Sequence, residues 1–255
     1  MSDGANRMAQ LFKPSANNVA KLSLIMGAAV PLGIFYAGSS ASRSPANTKV
    51  NVPIDQPIPF SHKHHAFELG IDCRYCHTGV ETSAVAGVPP TETCMSCHSQ
   101  IWTNNQLLKP LRDSYADGTP LRWSKVNKVP EFVFFNHSIH IQRGINCNQC
   151  HGPVQEMNIT WKGKPFWMSW CLECHKEPER FLYRDESVPG ISPKEQVFEL
   201  YRKYSRGDKL TTREYSLMKG FDYSPSKEEI ERGKELVKER KVDKDQIQDC
   251  SICHH

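Results

Sequence analysis

One long apolar segment lies near the amino terminus, and the rest of the chain has only short hydrophobic clusters between charged and polar residues. The stretch from Leu22 to Ser42 carries no charged residue, and its most apolar part ends near Tyr36. A helix of about 20 apolar residues crosses a bilayer, and about 17 residues is the lower limit. The pattern therefore predicts a membrane-spanning helix over residues 22–38.

A polar tail with three basic residues, residues 1–21, precedes this segment. Basic flanks stay in the cytoplasm, so we expect the rest of the chain to lie on the opposite side of the membrane. A cleaved signal peptide is the alternative, because small residues suited to a peptidase site lie between Ala37 and Ala41. Since the sequence retains Met1, we favour a single-pass anchor that is kept.

Only short elements are indicated after the anchor. Residues 39–59 are rich in Ser, Pro, Asn and Thr and predict an extended tether. Three capping patterns predict short helices later in the chain: Ser192 with Glu195, Thr211 with Glu214, and Ser226 with Glu229. Strand signals are weak, and Glu131–Phe135 is the best short stretch. The predicted fold class is a mostly irregular chain with short α-helices and one amino-terminal transmembrane helix.

The composition narrows this picture. Hydrophobic residues make up 38% of the 255 residues, whereas about 45–50% apolar residues, glycine included, is usual for a soluble domain. Either much of the chain is irregular or something other than side chains fills the core. The net charge of +4 is small and dispersed, which argues against a nucleic-acid partner. Collagen, a coiled coil and a multi-span membrane protein are excluded as well.

All ten cysteines lie in five Cys-x-x-Cys pairs, and a histidine directly follows each pair. In chain order we call them site I (Cys73, Cys76, His77), site II (Cys94, Cys97, His98), site III (Cys147, Cys150, His151), site IV (Cys171, Cys174, His175) and site V (Cys250, Cys253, His254). This spacing is typical of c-type haem attachment. Two thiols bond to the vinyl groups of one porphyrin, and the histidine binds the iron from one side.

Other uses of paired cysteines account less well for the pattern. Structural zinc takes two such pairs at a time, so one of five would be left over. Disulfides suit an exported chain but give no reason for five histidines at one offset. Thioredoxin-like pairs need a βαβ context, which the sequence lacks. We therefore expect five covalently bound haem c groups, whose porphyrins supply the missing apolar bulk.

An internal repeat surrounds the first four sites. Phe60-Ser-His62-Lys-His64-His65 leads to Gly70 and site I, and Phe135-Asn-His137-Ser-Ile-His140 leads to Gly144 and site III, with a one-residue gap between the copies. The predicted domains are a first diheme module with a connector (60–134), a second diheme module (135–180), and a helical segment with the fifth site (181–255).

Five irons need five further axial ligands or leave open positions. The repeat singles out His62, His65, His137 and His140 as distal ligands, with two imidazoles about one helical turn apart. His64 has no counterpart in the second copy and is expected not to bind iron. For the fifth haem, Met168 is favoured, with His255 and Met157 as alternatives. Because ligands suffice for all five haems, the inventory favours electron transfer over catalysis at an open iron.

These motifs resemble those of two groups of cytochromes. The two Phe-x-His-x-x-His repeats before Cys-x-x-Cys-His resemble the class III multihaem cytochromes c, which implies that His62 pairs with His77 and His137 with His151, while His65 and His140 reach other haems. The stretches Trp123–His140, Cys150–Met157 and Met168–His175 resemble the pentahaem subunit of alternative complex III.

The second resemblance implies a membrane-bound quinol:electron-acceptor oxidoreductase. Its expected partners are a polytopic quinol-oxidising membrane subunit, an iron–sulfur subunit, and a monohaem cytochrome c or terminal oxidase. An anchored quinol dehydrogenase that works without such partners is the first alternative. A nitrite-reductase-like haem enzyme is the second, although the sequence lacks its Cys-x-x-Cys-Lys motif. Val197, Phe198, Leu200 and Tyr201 are expected either to bind a partner or to cover haem edges.

Overall fold

A computed structural model describes residues 12–220 and 223–254. The chain divides into two compact units, residues 1–49 and residues 50–255. Helices, tight turns and irregular segments make up the described residues, and within these ranges the only β-pairing is three isolated bridges. The expected class, short helices in a largely irregular chain, is confirmed.

The first unit consists of one long helix and one short one. Helix α1, Ser15–Arg43, has 29 residues and is about 43 Å long at 1.5 Å per residue. It extends past both ends of the expected span, because polar residues on either side continue its hydrogen bonding. It stops at Ser44, since the residue before a proline avoids the helical conformation, and α2, Pro45–Thr48, follows. The first part of the expected tether is therefore helical.

Helix α1 is long and apolar enough to cross a bilayer, with a mean hydropathy of 1.7 over its most apolar window. Its large apolar side chains, such as Leu24 and Phe35, are exposed. A signal sequence near an amino terminus has the same length and composition. The helix is therefore a candidate for a membrane anchor or for a signal peptide.

The second unit contains short helices and helical turns joined by irregular segments. Its helices are α3 (Cys73–Cys76), α4 (Thr91–His98), α5 (Lys109–Asp117), α6 (His137–Gln142), α7 (Cys147–His151), α8 (Met168–Lys176), α9 (Pro193–Ser205), α10 (Thr212–Lys219), α11 (Lys227–Glu239) and α12 (Cys250–Cys253). A π-helical turn spans Lys63–Glu68, and 3₁₀ turns span Gln106–Leu108, Val154–Glu156, Pro178–Arg180 and Gln246–Gln248. Residues 50–54 run beside 160–162 through two bridges, so this part of the expected tether is paired.

The three helices predicted from capping patterns are all present. The hydroxyl groups of Thr211 and Ser226 each accept a hydrogen bond from the backbone N–H three residues later. The glutamate at that position accepts a hydrogen bond from the backbone N–H of the capping residue, which completes the capping boxes of α10 and α11. Ser192 caps α9 in the same way, but Glu195 instead accepts from Arg74. The expected strand over Glu131–Phe135 is reduced to a single bridge between Val133 and His254.

Among residues 12–220 and 223–254, the core consists of three small hydrophobic clusters. The first contains Val197, Leu200, Tyr201, Leu217 and Met218, the second Ile58, Leu108 and Leu111, and the third Val80, Ile141 and Phe198. A partner-binding face over Val197–Tyr201 was one of two expectations, and it is wrong. Phe198 is only 1% exposed, because this face of α9 packs against α6, α10 and the cysteines of sites I and III.

The sequence repeat is also a structural repeat, and its one-residue gap has a visible cause. In the second copy Ile145 N–H donates to the His140 carbonyl, five residues back; in the first, Ile71 N–H donates to the His65 carbonyl, six residues back. The extra residue is taken up by the π-helical turn, as single insertions in helices commonly are. Gly70 and Gly144 then turn the chain with φ of +66° and +76°, which favours glycine.

Candidate haem-binding sites

Each Cys-x-x-Cys pair lies within one helical turn that presents both thiols on one side. At sites I, III and V the turn is α3, α7 or α12, and it begins directly after Asp72, Asn146 or Asp249. The side chain of each of these residues accepts a hydrogen bond from the backbone N–H two residues on, which is how short polar residues start helices. At sites II and IV the pair lies inside the longer helices α4 and α8.

None of the ten cysteines, all of which lie within the described residues, forms a disulfide. Across the described residues, three or more His, Cys, Asp and Glu side chains nowhere converge on a point where they could hold a bare metal ion. The histidines instead meet two at a time, and this pairing is the main feature of the sites.

Four pairs of imidazole rings face each other at nearly one separation. The ring centroids are 6.3 Å apart for His62 and His77, 6.2 Å for His65 and His98, 6.2 Å for His137 and His151, and 6.3 Å for His140 and His175. Each pair joins a histidine of a Phe-x-His-x-x-His motif to the histidine of a different attachment motif. The rings of three pairs are within 25° of parallel, and those of His65 and His98 are inclined by 64°.

This separation fits one iron held between two imidazoles. A bond of about 2 Å from metal to imidazole nitrogen, plus about 1.1 Å from that nitrogen to the ring centre, gives roughly 6.2 Å between the centroids of two rings on opposite sides of one metal. Ordinary contacts between aromatic rings spread over about 4.5–7 Å, so it is the nearly equal separation in all four pairs that indicates a common cause. The residues of sites I–IV therefore fit a haem ligated by two histidines.

Backbone carbonyls fix the orientation of most of these rings. Nδ1–H donates to a carbonyl oxygen in six of them: His65 to Ser61 (2.9 Å), His77 to Gly87 (2.7 Å), His98 to Ile101 (3.3 Å), His137 to Ala84 (2.8 Å), His140 to Asn136 (2.7 Å) and His175 to Ile247 (2.7 Å). With the proton on Nδ1, Nε2 keeps its lone pair. This neutral tautomer, oriented by a second hydrogen bond, is the usual metal-binding form of histidine.

Burial keeps several of these imidazoles neutral. Burial, together with the neighbouring His77, lowers the pKa of His62 to about 4. Burial, together with His137, lowers the pKa of His151 to about 4 as well, and burial also lowers the pKa of His140. A neutral ring at pH 7 has its lone pair available, so the protein supplies ligands that need not lose a proton.

The phenylalanine that opens each repeat holds both histidines of its motif. Phe60 stacks on His65 (4.5 Å between centroids) and meets His62 edge to face (5.0 Å). Phe135 repeats this arrangement with His140 (4.8 Å) and His137 (4.8 Å). The sequence contained this signal, because a phenylalanine precedes the first histidine by two residues in both copies, but the contact itself was not foreseen.

Arg74, between the two cysteines of site I, also escaped the sequence reasoning. Its guanidinium donates to Asp72 and, at 2.7 Å, to Glu195 of α9. It also lies 4.1 Å from the centre of the Phe198 ring. These contacts attach the site I turn to α9, and no local sequence pattern indicates them.

The remaining ligand candidates lie apart from the four pairs. His64 is half-exposed and its Nδ1 lies 2.9 Å from Glu68 Oε2, an ion-pair position rather than an iron-facing one. Met168 begins α8 and is 63% exposed, whereas Met157 is buried in the core. His255 lies outside the described residues. At site V, His254 has Phe132 as its ring neighbour, with 5.8 Å between centroids.

Comparisons with known proteins agree with this geometry. Residues 133–199 match the family model of cytochrome c7 and related cytochrome c. The chain is 36% identical over 98 residues to the menaquinone reductase multiheme cytochrome c subunit of Nitratidesulfovibrio vulgaris, covering 38% of this chain and 46% of that protein. This chain is related to the multihaem c-type cytochromes.

A second, more distant relative is also a cytochrome c by name. The chain is 26% identical over 114 residues to cytochrome c-552 of Desulfotalea psychrophila, covering 39% of this chain and 22% of that protein. The chain thus aligns with less than half the length of either relative. The matched family and both relatives are cytochromes c by name, which agrees with the Cys-x-x-Cys-His motifs of this chain.

Proposed function

We propose that this chain is a membrane-anchored pentahaem c-type cytochrome that conducts electrons within a quinone-linked oxidoreductase complex. The four facing histidine pairs carry the proposal, because each pair belongs to a haem attachment motif and each spacing fits one iron. When bound, haem supplies a one-electron carrier between the ferric and ferrous states.

The chain's own residues suit this task better than catalysis. At each of sites I–IV the two histidines would hold the iron of a bound haem from both sides, which would leave no position on it for a substrate. Carbonyls and the two phenylalanines fix the imidazole rings, and burial lowers the pKa of His62 and His151, which favours the neutral rings. A fixed ligand set reduces the reorganisation that accompanies each change of charge.

At site V we propose Met168 as the sixth ligand, with His255 and Met157 as alternatives. His175, on the helix that begins at Met168, donates to the Ile247 carbonyl, three residues before Cys250, so the contact supports a position for site V close to that helix. A thioether ligand raises the potential of a haem above that of its bis-histidine neighbours. Site V would then hold the electron most tightly and suit one end of the pathway.

The complex we propose is of the alternative complex III type. A polytopic quinol-oxidising subunit and an iron–sulfur subunit would deliver electrons, and a monohaem cytochrome c or terminal oxidase would receive them. Helix α1 would anchor the chain in the bacterial cytoplasmic membrane with its haem region on the periplasmic side. The motif resemblance and the length and hydropathy of α1 support this assignment.

A relative supports a second candidate, in which electrons flow in the opposite direction. The Nitratidesulfovibrio vulgaris protein is named a menaquinone reductase subunit, so its electrons move towards a quinone. The haem region here would serve equally in such a complex, because an electron-transfer chain has no intrinsic direction. The reduction potentials of the partner redox centres would decide the direction of electron flow.

Isolation of the full chain from its native membrane in mild detergent tests the proposal. We expect five haems per chain, fully low-spin ferric spectra at sites I–IV, and co-purifying iron–sulfur and polytopic subunits. The purified chain alone should not be reduced by a quinol, whereas the complex should be. A stoichiometry below five, or rapid haem reduction by quinol without partners, would contradict the proposal. Reduction of the haems only by a donor cytochrome, followed by quinone reduction, would select the second candidate.

A further inference from the structure

The five attachment sites contact one another in a definite sequence. Sites I and II share the π-helical turn and the residue directly before it, since His62, which precedes the turn, faces His77 and His65, within the turn, faces His98. The attachment turns themselves also touch, because Tyr75 Oη lies 2.8 Å from Ser96 Oγ and each residue lies between the two cysteines of its motif. Site II is therefore a direct neighbour of site I.

Sites I and III meet across one loop. The Gly87 carbonyl accepts from His77 of site I at 2.7 Å, and the Ala84 carbonyl accepts from His137, which faces the histidine of site III, at 2.8 Å. On the other side, Cys73 and Cys147 pack against the same cluster of Val80, Ile141 and Phe198. The two diheme modules are joined here, through their first sites.

Sites III and IV share α6, whose His137 and His140 face His151 and His175. Their thiols are also close: burial and then the nearby Cys174 raise the pKa of the Cys150 thiol to about 12. The second module thus repeats the internal arrangement of the first.

Sites IV and V meet near the carboxyl terminus. His175 of site IV donates to the Ile247 carbonyl at 2.7 Å, three residues before the first cysteine of site V. Burial and then Cys253 raise the pKa of the Cys171 thiol, so these two cysteines are neighbours as well.

We infer that the five haem sites form an unbranched row in the order II, I, III, IV, V. Cys97 of site II and Cys250 of site V are the two exposed cysteines, whereas the other eight are partly buried, which agrees with these two sites as the ends. The inference rests on the proposed electron-transfer function. It assigns the exchange of electrons with partner redox centres to sites II and V, and leaves sites I, III and IV as internal relays.

The order can be tested by marking one site at a time in the full-length haem-loaded protein. The same substitution is made in four distal ligands: His65→Met, His62→Met, His137→Met and His140→Met. Loss of an imidazole ligand raises the potential of the marked haem whether or not the thioether binds, so that haem is reduced earlier than in wild type. Its paramagnetism then disappears, and the electron paramagnetic resonance signals of adjacent ferric haems change.

The number of other haems whose electron paramagnetic resonance signals change gives the number of neighbours of the marked haem. The reference is the spectrum of the wild-type protein poised at the same potential. Marking site II (His65→Met) should alter one other haem, and marking site I, III or IV should alter two each. Two or more affected haems for His65→Met, or one for His62→Met, would overturn the order. Iron positions in a map of the wild-type holoprotein give an independent readout: the iron of site II should be nearest to that of site I, and any other nearest neighbour would overturn the row.

Failure of the order and failure of the proposed function are distinguishable. A branched or permuted arrangement with five haems and normal electron transfer in the complex would refute the order alone. The expected signal counts in a protein that exchanges no electrons with a quinone-linked complex would refute the function alone.

Discussion

Phe60 and Phe135 each contact two of the histidines that we propose as axial ligands. Each ring stacks on the second histidine of its motif and meets the first edge to face. In the proposed assignment the two imidazoles of a motif serve neighbouring sites, so a single phenylalanine would influence the ligand geometry of two haems at once. Aromatic pairs of this kind contribute about 0.5–1.5 kcal/mol each beyond their buried area.

Phe135→Leu should therefore loosen His137 and His140 together. We expect shifts in the ferric electron paramagnetic resonance signals of two haems, those of sites III and IV, and a loss of roughly 1–2 kcal/mol of stability from the two ring contacts. Phe67→Leu is the matched control, because Phe67 packs on Tyr204 and touches none of the four histidine pairs in the described contacts. Unchanged signals in Phe135→Leu, or shifts in all haems, would contradict this role.

At the residue scale the sequence predicts the haem attachment motifs from local spacing alone, because each motif consists of two cysteines and a histidine within five residues. Haem attachment at these residues stays a prediction. The facing of His62 with His77 and of His137 with His151 was expected from the resemblance, and the structure brings these rings together. The histidines that face His65 and His140 could not be predicted from the sequence, because these pairs form between turns that are far apart in the chain. The ligand of site V stays a prediction.

At the scale of elements, the sequence predicts where helices begin but not what packs against them. Thr211 and Ser226 form their capping boxes as the spacing indicates, because a cap involves only four consecutive residues. The burial of Val197–Tyr201 was not readable, since an apolar face does not reveal what covers it. The π-helical turn appears in the sequence only as a gap in the repeat, visible once both copies are aligned.

Helix α10 offers a test of how local capping supports a haem site. Its Met218 carbonyl accepts from the side chains of Asn148 and Gln155, which ties it to the site III turn. Thr211→Ala should cost about 1 kcal/mol through loss of the cap, or about 2–4 °C in Tm for a domain of this size. Thr211→Ser keeps the hydroxyl and should melt close to wild type. Equal melting of the alanine and serine variants would show that the cap contributes nothing.

For the whole molecule, the small core explains the large number of haem motifs. The hydrophobic clusters of the described residues contain three to five buried residues each, and cysteines of sites I, II and III pack against them. A chain of this length usually buries one continuous core. The porphyrins are expected to supply that continuity, and site III is the clearest case, because its Cys147 packs against two of the clusters.

Removal of single haems should therefore affect the fold to different extents. In Cys147→Ala/Cys150→Ala the site III haem is lost where Cys147 touches both the first and the third cluster, so we expect the modules to separate and cooperative unfolding to disappear. In Cys250→Ala/Cys253→Ala the site V haem is lost from a turn whose first cysteine is exposed, so the remaining four haems should keep low-spin spectra and a cooperative transition at a modestly lower Tm. Far-ultraviolet circular dichroism during heating, with haem content measured on the same samples, distinguishes the two variants. Equal destabilisation by both losses would mean that the haems support the fold independently of their place in the row.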